Sequence, residues 1–350
     1  MKYHQLGSSE LTVSEICLGT MTWGIQNTQK DADEQMGIAL DAGINVLDTA
    51  EMYPVPPNAP TYADTERCIG DWLSRNQQKR QDLIVMTKIA GGGIDWIRNG
   101  KNITGEAILP AIEASLTRLN TDVIDVYQLH WPNRTSPHFG KQWVGMTNPE
   151  HLDKIKEIEE MRSIVLALGE AIEKGKIRYW GLSDDTPWGI HTFLKLCEET
   201  GVPRPVSIQN EFNLLHAKDW PYLIEMCHLE NIAYLPWSPL ATGMLSGKYQ
   251  NGARPEGSRW TYVQRQGLFR DTPLAREATD AYMKIATSAG ITPSQLALVW
   301  CQQVPGVTST IIGATSTLQL KENIEAFSVE LSAETLQKID ETFRRFPIAF

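Results

Sequence analysis

Three residues able to hold or pass a proton follow short apolar runs in this chain. Asp48 comes after Asn45-Val46-Leu47, Lys88 after Ile84-Val85-Met86-Thr87, and His130 after Val126-Tyr127-Gln128-Leu129. The spacing is 40 residues from Asp48 to Lys88 and 42 from Lys88 to His130, about one βα unit each. Consecutive strands of a parallel barrel would therefore aim all three into one mouth. Tyr53, five residues past Asp48, is near enough to join them. Singly, each has an ordinary role: Asp48 could cap a turn, Lys88 could be a solvated loop cation, His130 a satisfied core histidine. Their joint placement favours a site, because perturbed ionisable groups concentrate at sites.

Aspartate, lysine, tyrosine and histidine together suit the reduction of a carbonyl. A phenol titrates near ~10, so Tyr53 can protonate a developing alkoxide only if that value is drawn toward neutrality. The Lys88 ammonium would do so by favouring the phenolate, with Asp48 keeping the ammonium charged and oriented. His130 would donate a hydrogen bond to the carbonyl oxygen. A well-placed acid contributes about 10²- to 10⁴-fold, and alignment of the reactants supplies the remainder.

The elements that must position these residues alternate between short apolar runs and longer amphipathic stretches. Strands are predicted at 16–18, 45–47, 83–86, 123–129, 179–182, 206–208, 233–235 and 310–312. Helices are predicted at 31–42, where Met36, Ala39 and Leu40 share a face and Gly43 is the stop, at 65–73, at 164–174, at 187–199 and at 318–326. Another helix carries Ile112, Leu116 and Leu119, with Pro110 near its first turn or at a kink. This is an α/β pattern, a (β/α)8 TIM barrel, with long loops after strands four (131–161) and seven (237–273) and an extra C-terminal helix capped by Ser332. The first long loop suits a substrate lid, against a plain surface excursion. Trp131, Phe139, Trp143 and Trp188 predict an aromatic lining for an apolar substrate. No low-complexity linker divides the chain, so residues 1–350 read as one domain.

A net charge of −10 gives no basic field, which argues against nucleic acid or anionic membrane as a partner. The N-terminal residues lack the apolar run of a signal peptide, so a cytoplasmic location is expected. Five scattered cysteines, with no Cys-x-x-Cys pair, predict neither disulfides nor zinc. A metal-dependent hydrolase built on Asp48, Glu51 and His130 would want a second clustered histidine, which the sequence does not offer, and no metal is expected. Nothing in the composition forbids an oligomer.

Leu47-Asp48-Thr49-Ala50-Glu51-Met52-Tyr53 and Ser115-Leu116-Thr117-Arg118-Leu119, with Asp122 and Asp125 beyond, resemble the signatures of the aldo-keto reductase superfamily. The likeness runs from about Leu11 to Phe327. Glu51-Met52-Tyr53-Pro54-Val55-Pro56-Pro57 is similar to a bacterial Tas-type branch, and Trp237-Ser238-Pro239-Leu240-Ala241-Thr242-Gly243 to the potassium-channel β-subunit branch. The resemblance implies an NADP(H)-dependent oxidoreductase that reduces the aldehyde or ketone group of a small molecule to an alcohol. Its implied catalytic tetrad is Asp48, Tyr53, Lys88 and His130.

No Gly-x-Gly-x-x-Gly follows a strand, and Gly91-Gly92-Gly93 reads instead as a flexible loop beyond Lys88. The resemblance implies cofactor contacts of another kind. Thr20, Met21 and Asp48 would meet the nicotinamide end, Ser183 and Gln209 its carboxamide, and Trp237 the ring face. Ser238, Pro239, Leu240, Lys248 and Arg259 would wrap the phosphates. Gly313, Thr315, Gln319, Glu322 and Asn323 would form the adenosine end, with a helix N-terminus facing the 2′-phosphate. Two positions depart from the pattern. Asp184 stands where many relatives have Asn beside the carboxamide, and the neutral Thr315 and Ser316 stand where many have Arg. The expected preference for NADPH over NADH thus rests on Arg259 and the helix terminus. The rival implication is a channel β-subunit-like protein that binds NADP as a regulatory ligand with little turnover. His130 argues for the enzyme, since the channel subunits resemble one another in carrying Asn there.

Overall fold

A computed structural model describes residues 1–261 and 268–350, so part of the second long loop lies outside the described residues. The chain opens with an antiparallel hairpin, β1 (Tyr3–Gln5) and β2 (Thr12–Ser14), which the sequence patterning did not reveal. The first units are β3 (Ile16–Gly19), α1 (Gln29–Asp41), β4 (Val46–Asp48), α2 (Asp64–Arg75), β5 (Ile84–Ile89) and α3 (Gly105–Leu119). Next come β6 (Ile124–Leu129), α4 (Lys154–Glu173), β7 (Ile177–Ser183), α5 (Pro187–Thr200), β8 (Ser207–Glu211) and α6 (Tyr222–Leu229). The chain finishes with β9 (Ala233–Trp237), α7 (Pro273–Ser288), α8 (Pro293–Gln303), β10 (Thr310–Ile312), α9 (Thr317–Glu325) and α10 (Ala333–Arg345).

Strands β3 to β10 pair in parallel in the order β10-β3-β4-β5-β6-β7-β8-β9. The seam closes where Tyr234 bridges Val307 and the Thr308 amide donates to the Tyr234 carbonyl at 2.9 Å. This is the expected (β/α)8 barrel.

Alternation along each strand sorts the side chains into two cores. Ile16, Leu18, Leu47, Val85, Tyr127, Trp180, Ile208 and Tyr234 face outward and pack under the helices. Cys17, Val46, Ile84, Met86, Val126, Leu235 and Ile311 face inward, and Leu6, Leu11 and Val13 join that inner cluster. The hairpin thus plugs the N-terminal end of the barrel and leaves the C-terminal end as the mouth. A third cluster joins α7, α8 and α10 to the loop after β9 and to the last residues, Phe346, Ala349 and Phe350.

Local signals explain most boundaries. Thr28 and Asp31 form a capping box at the start of α1, and Gly43 ends the unit at φ +84°. Helix α3 begins at Gly105 and runs through Pro110. Helix α4 starts ten residues before the expected 164, because Asp153 caps it and Lys156–Glu160 supports its charged first turns. The loop after β6 is correspondingly shorter, residues 130–153. Two helices, α7 and α8, occupy the stretch before β10, and Ser332 caps α10 as expected. All five cysteines are free. Among the described residues no helix is long and apolar enough to cross a membrane.

Candidate active site

The mouth is built where the inner faces of the strands turn from apolar to polar. Two residues beyond the inward-facing Val46, Met86 and Val126, the same alternation points Asp48, Lys88 and Gln128 inward, and Gln209 joins them from β8. The Lys88 ammonium donates to both oxygens of Asp48 at 2.7 Å and to the Thr49 carbonyl at 2.8 Å. Gln209 Nε2 donates to Asp48 Oδ1 at 2.6 Å and to Gln128 Oε1 at 2.9 Å. Lys88 Nζ stands 5.2 Å from the centre of the Tyr53 ring, and that ring meets His130 edge-on at 5.6 Å. The four residues expected to act together are therefore adjacent. Gln128 is a further member of this layer, and nothing local in the run Val126-Tyr127-Gln128-Leu129 marks it.

Burial and charge set the protonation states. Burial works against the Lys88 ammonium, but Asp48, Tyr53 and Cys17 together outweigh it, so its pKa is raised and the ammonium stays charged. Burial, reinforced by Lys88, pushes His130 well below the usual histidine value, so its imidazole is neutral. Its Nδ1 is buried and has no hydrogen-bond partner among the described residues. The Tyr53 phenol departs from expectation: burial raises its pKa, and the pull of Lys88 only partly offsets this. An ammonium beside the ring is thus not enough by itself to bring the phenol toward neutrality.

Tyr53 is carried by a turn, its amide donating to the Ala50 carbonyl at 3.0 Å, and the Val55 amide pins the segment to the Met21 carbonyl at 2.9 Å. The peptides before Pro54 and Pro56 are cis. Thr20 donates through both its amide and its hydroxyl to the Asp48 carbonyl, at 3.1 and 2.8 Å. At the far strand ends, Asp184 and Ser238 sit in the left-handed region, φ +53° and +57°, uncommon for such residues and frequent at functional sites. Asp184 accepts from the Trp237 indole at 3.1 Å and lies 3.5 Å from His138 Nδ1.

The residues expected to hold a cofactor lie along one rim. The loop after β3 links them: Met21 Sδ is 3.9 Å from the Arg259 guanidinium, Gln26 donates to the Gly257 carbonyl at 3.4 Å, and Asn27 to the Thr315 carbonyl at 3.0 Å. Arg259 Nε is buried without a partner, and neither Arg259 nor Lys248 has a carboxylate partner among the described residues. Lys248 lies across Gly243, where an added Cβ would stand 2.6 Å from Lys248 Cε, and Gly243 has φ +94°. Two cations without a carboxylate partner among the described residues, one of them across a glycine, suit an anion such as a pyrophosphate. At the other end Ser316 caps α9, Gln319 accepts from the Thr315 amide and hydroxyl at 3.0 Å, and Asn323 donates to the Gly313 carbonyl at 3.2 Å. Gly313 and Glu322 are exposed there. Pro239 is buried, while Ser238 and Leu240 are partly exposed beside Trp237. The cations and the capped start of α9 fit, in charge and hydrogen-bonding capacity, the phosphates of a dinucleotide.

Gln209 turns its amide nitrogen inward to Asp48, and Ser183 is buried beside it at the end of β7. Gly91-Gly92-Gly93 is not a loose loop: an added Cβ on Gly91 would lie 2.0 Å from Trp131 Nε1, and that indole donates to the Gly92 carbonyl at 3.2 Å. Trp131 tilts against His130 at 4.8 Å, and Phe139 stacks on Trp237 at 5.7 Å. Trp188 instead lies under Arg134 at 5.0 Å, and Trp143 is exposed. Ion pairs join segments distant in sequence, Glu51 with Arg98, Asp185 with Arg134, and Glu211 at the end of β8 with Arg270.

A parallel barrel whose mouth gathers Asp48, Tyr53, Lys88 and His130 defines a class, and comparison of sequences gives it a name. Residues 15–344 match the model of the Aldo/keto reductase family. The chain is 38% identical over 343 residues to "Protein tas" of Escherichia coli (strain K12), covering 97% of each. It is 35% identical over 258 residues to an "Aldo-keto reductase" of Babesia bovis, covering 69% of this chain and 88% of that one. It is also 30% identical over 354 residues to a "Probable voltage-gated potassium channel subunit beta" of Arabidopsis thaliana, covering 99% of this chain and 98% of that one. The chain belongs to the aldo/keto reductase family, a family of oxidoreductases that use a nicotinamide nucleotide and act on small carbonyl compounds.

Proposed function

We propose that this protein reduces aldehydes or ketones to alcohols with NADPH, with Tyr53 as the general acid. The observation that carries the reading is the contact of Lys88 with Asp48 on one side and the Tyr53 ring on the other, with His130 across that ring. NADPH, when bound, supplies the hydride. Tyr53 Oη gives its proton to the carbonyl oxygen, and the nearby ammonium of Lys88 stabilises the phenolate left behind. Asp48 and the Thr49 carbonyl hold that ammonium in place. His130, neutral and dry, donates from Nε2 to the same carbonyl oxygen, a tautomer that leaves only a lone pair at its unpartnered Nδ1. Trp131 and Phe139 flank the mouth and favour an apolar substrate. Arg259 and Lys248 would hold phosphates, and the N-terminus of α9 the 2′-phosphate. The whole chain would act as one domain, located in the cytoplasm.

The experiment is a screen of aldehydes and ketones against purified protein, following loss of reduced-nicotinamide absorbance with NADPH and with NADH. Turnover with NADPH supports the reading, and binding of NADPH without turnover on any carbonyl overturns it. The printed name of the Arabidopsis relative favours a second reading, a regulatory NADP-binding subunit. Capture of a potassium-channel tetramer by a protein inert toward carbonyls would select it.

A further inference from the structure

Glu51 lies between the segment that carries Tyr53 and the strand end that carries Lys88. Its backbone amide donates to the Lys88 carbonyl at 3.1 Å. Its carboxylate Oε1 accepts from the Ala90 amide at 2.7 Å and from Arg98 at 2.7 Å. Arg98 closes the circuit by donating to the Ala90 carbonyl. Glu51, Ala90 and Arg98 therefore form a ring of three contacts bracketing the residue two beyond Lys88. Arg98 reaches this position with φ +48°, an uncommon backbone for a long side chain, and Asn99, a residue type that adopts it more readily, follows at φ +53°. The Glu51 side chain is 2% exposed, which carries a large desolvation cost for a group that a neutral side chain could replace if only the Ala90 amide needed an acceptor.

We infer that Glu51, through Arg98 and Ala90, is a positioning residue that fixes how far the Lys88 ammonium stands from the Tyr53 ring. The inference deepens the reductase reading and rests on it for the effect on turnover. Groups that bear on Glu51 are Arg98 from the loop after β5, Tyr62 before α2, Glu66 on α2, Arg118 on α3 and Tyr127 on β6. Glu66 is itself satisfied by Thr87 at 2.5 Å and Arg118 at 2.6 Å, so Arg98 is left to Glu51. Those bearing on Tyr53 are Lys88, Asp48, Arg259, Asp184 and the His130 ring. Loss of the ring of contacts frees the strand end, and Lys88 then stabilises the Tyr53 phenolate less.

The test uses the full chain with Glu51→Gln, Glu51→Asp and Arg98→Lys. Tyr53 ionisation is read without turnover, as the phenolate absorbance difference between each protein and its Tyr53→Phe counterpart. In Glu51→Gln the Tyr53 titration moves to higher pH, and kcat falls about tenfold while KM for NADPH stays within about twofold, as expected for a loss specific to proton transfer. Arg98→Lys, which keeps a cation on Glu51, retains most of both properties. A Tyr53 titration that stays in place in both Glu51 variants overturns the inference, even if they are less stable. Absence of turnover in the unmutated protein would instead overturn the reductase reading and leave the titration as the judge of Glu51.

Discussion

The Lys88 ammonium lies within 2.7 Å of both carboxylate oxygens of Asp48, and the pair is nearly free of solvent at 1% and 5% exposure. Breaking one half of such a pair leaves a dry, unopposed charge, at a cost of about 3–5 kcal/mol. Lys88→Met should therefore lower stability by about that amount, whereas the double change with Asp48→Asn should cost less than the two single changes summed. Urea denaturation of the four proteins measures this, and simple additivity would show that the two groups do not act as a pair.

Tyr53→Phe removes the acid and little else. Turnover should fall by about 10²- to 10⁴-fold, while NADPH affinity, read by quenching of tryptophan fluorescence, stays nearly intact. Equal turnover in the variant would transfer the acid role to another group.

Arg259 faces Met21 and is felt by Tyr53, so it stands toward the catalytic end of the rim. Arg259→Ala should raise KM for NADPH more than KM for NADH if the guanidinium also reaches the 2′-phosphate. The expected result is the unequal rise. An equal rise for both nucleotides would confine Arg259 to the pyrophosphate they share.

His216 stacks on Phe350 at 5.2 Å and is buried, and burial holds its pKa down at about 4 against the pull of Glu211. Below the unfolded value of ~6.5 the unfolded chain takes up a proton that the folded chain refuses. The stabilising contribution is whole above ~6.5 and is lost as the pH falls toward the folded value, by at most about 1.4 kcal/mol per pH unit. Replacing His216 by Phe preserves the stack and removes the titration. Urea midpoints between those pH values should then fall less steeply in the variant, with Asp219, pushed up to about 6 by burial, cancelling in the difference. Parallel pH slopes would contradict the shift.

Gly91 leaves room for the Trp131 indole that tilts against His130. Gly91→Ala should displace that indole, lowering kcat and shifting tryptophan emission. Unchanged emission together with unchanged kcat would show that the contact is unimportant to the site.

What could be read from sequence followed the repeat. Each βα unit ends its strand in the same sense, so one polar residue after each of three apolar runs sufficed to place Asp48, Lys88 and His130 together. Tyr53 came from its nearness to Asp48, and the cofactor rim from the family likeness rather than from periodicity. The hairpin strands are three residues each, too short to show a period, and the start of α4 is so charged that its apolar face is thin. Glu51 with Arg98, and Gln128 with Gln209, join positions 47 and 81 residues apart, and nothing local marks such partners. The direction of the Tyr53 shift was also hidden, because Lys88 is visible in the sequence whereas the depth of burial is not.

The plug of Leu6, Leu11 and Val13 has an electrical consequence for the residues above it. Water that crept under Lys88 would screen its charge from below, and the oily underside excludes it. The ammonium therefore acts over a poorly polarisable base, and much of its influence is directed outward through the rim, where Tyr53 and any arriving carbonyl stand. A hairpin far from the chemistry thus serves as its insulator.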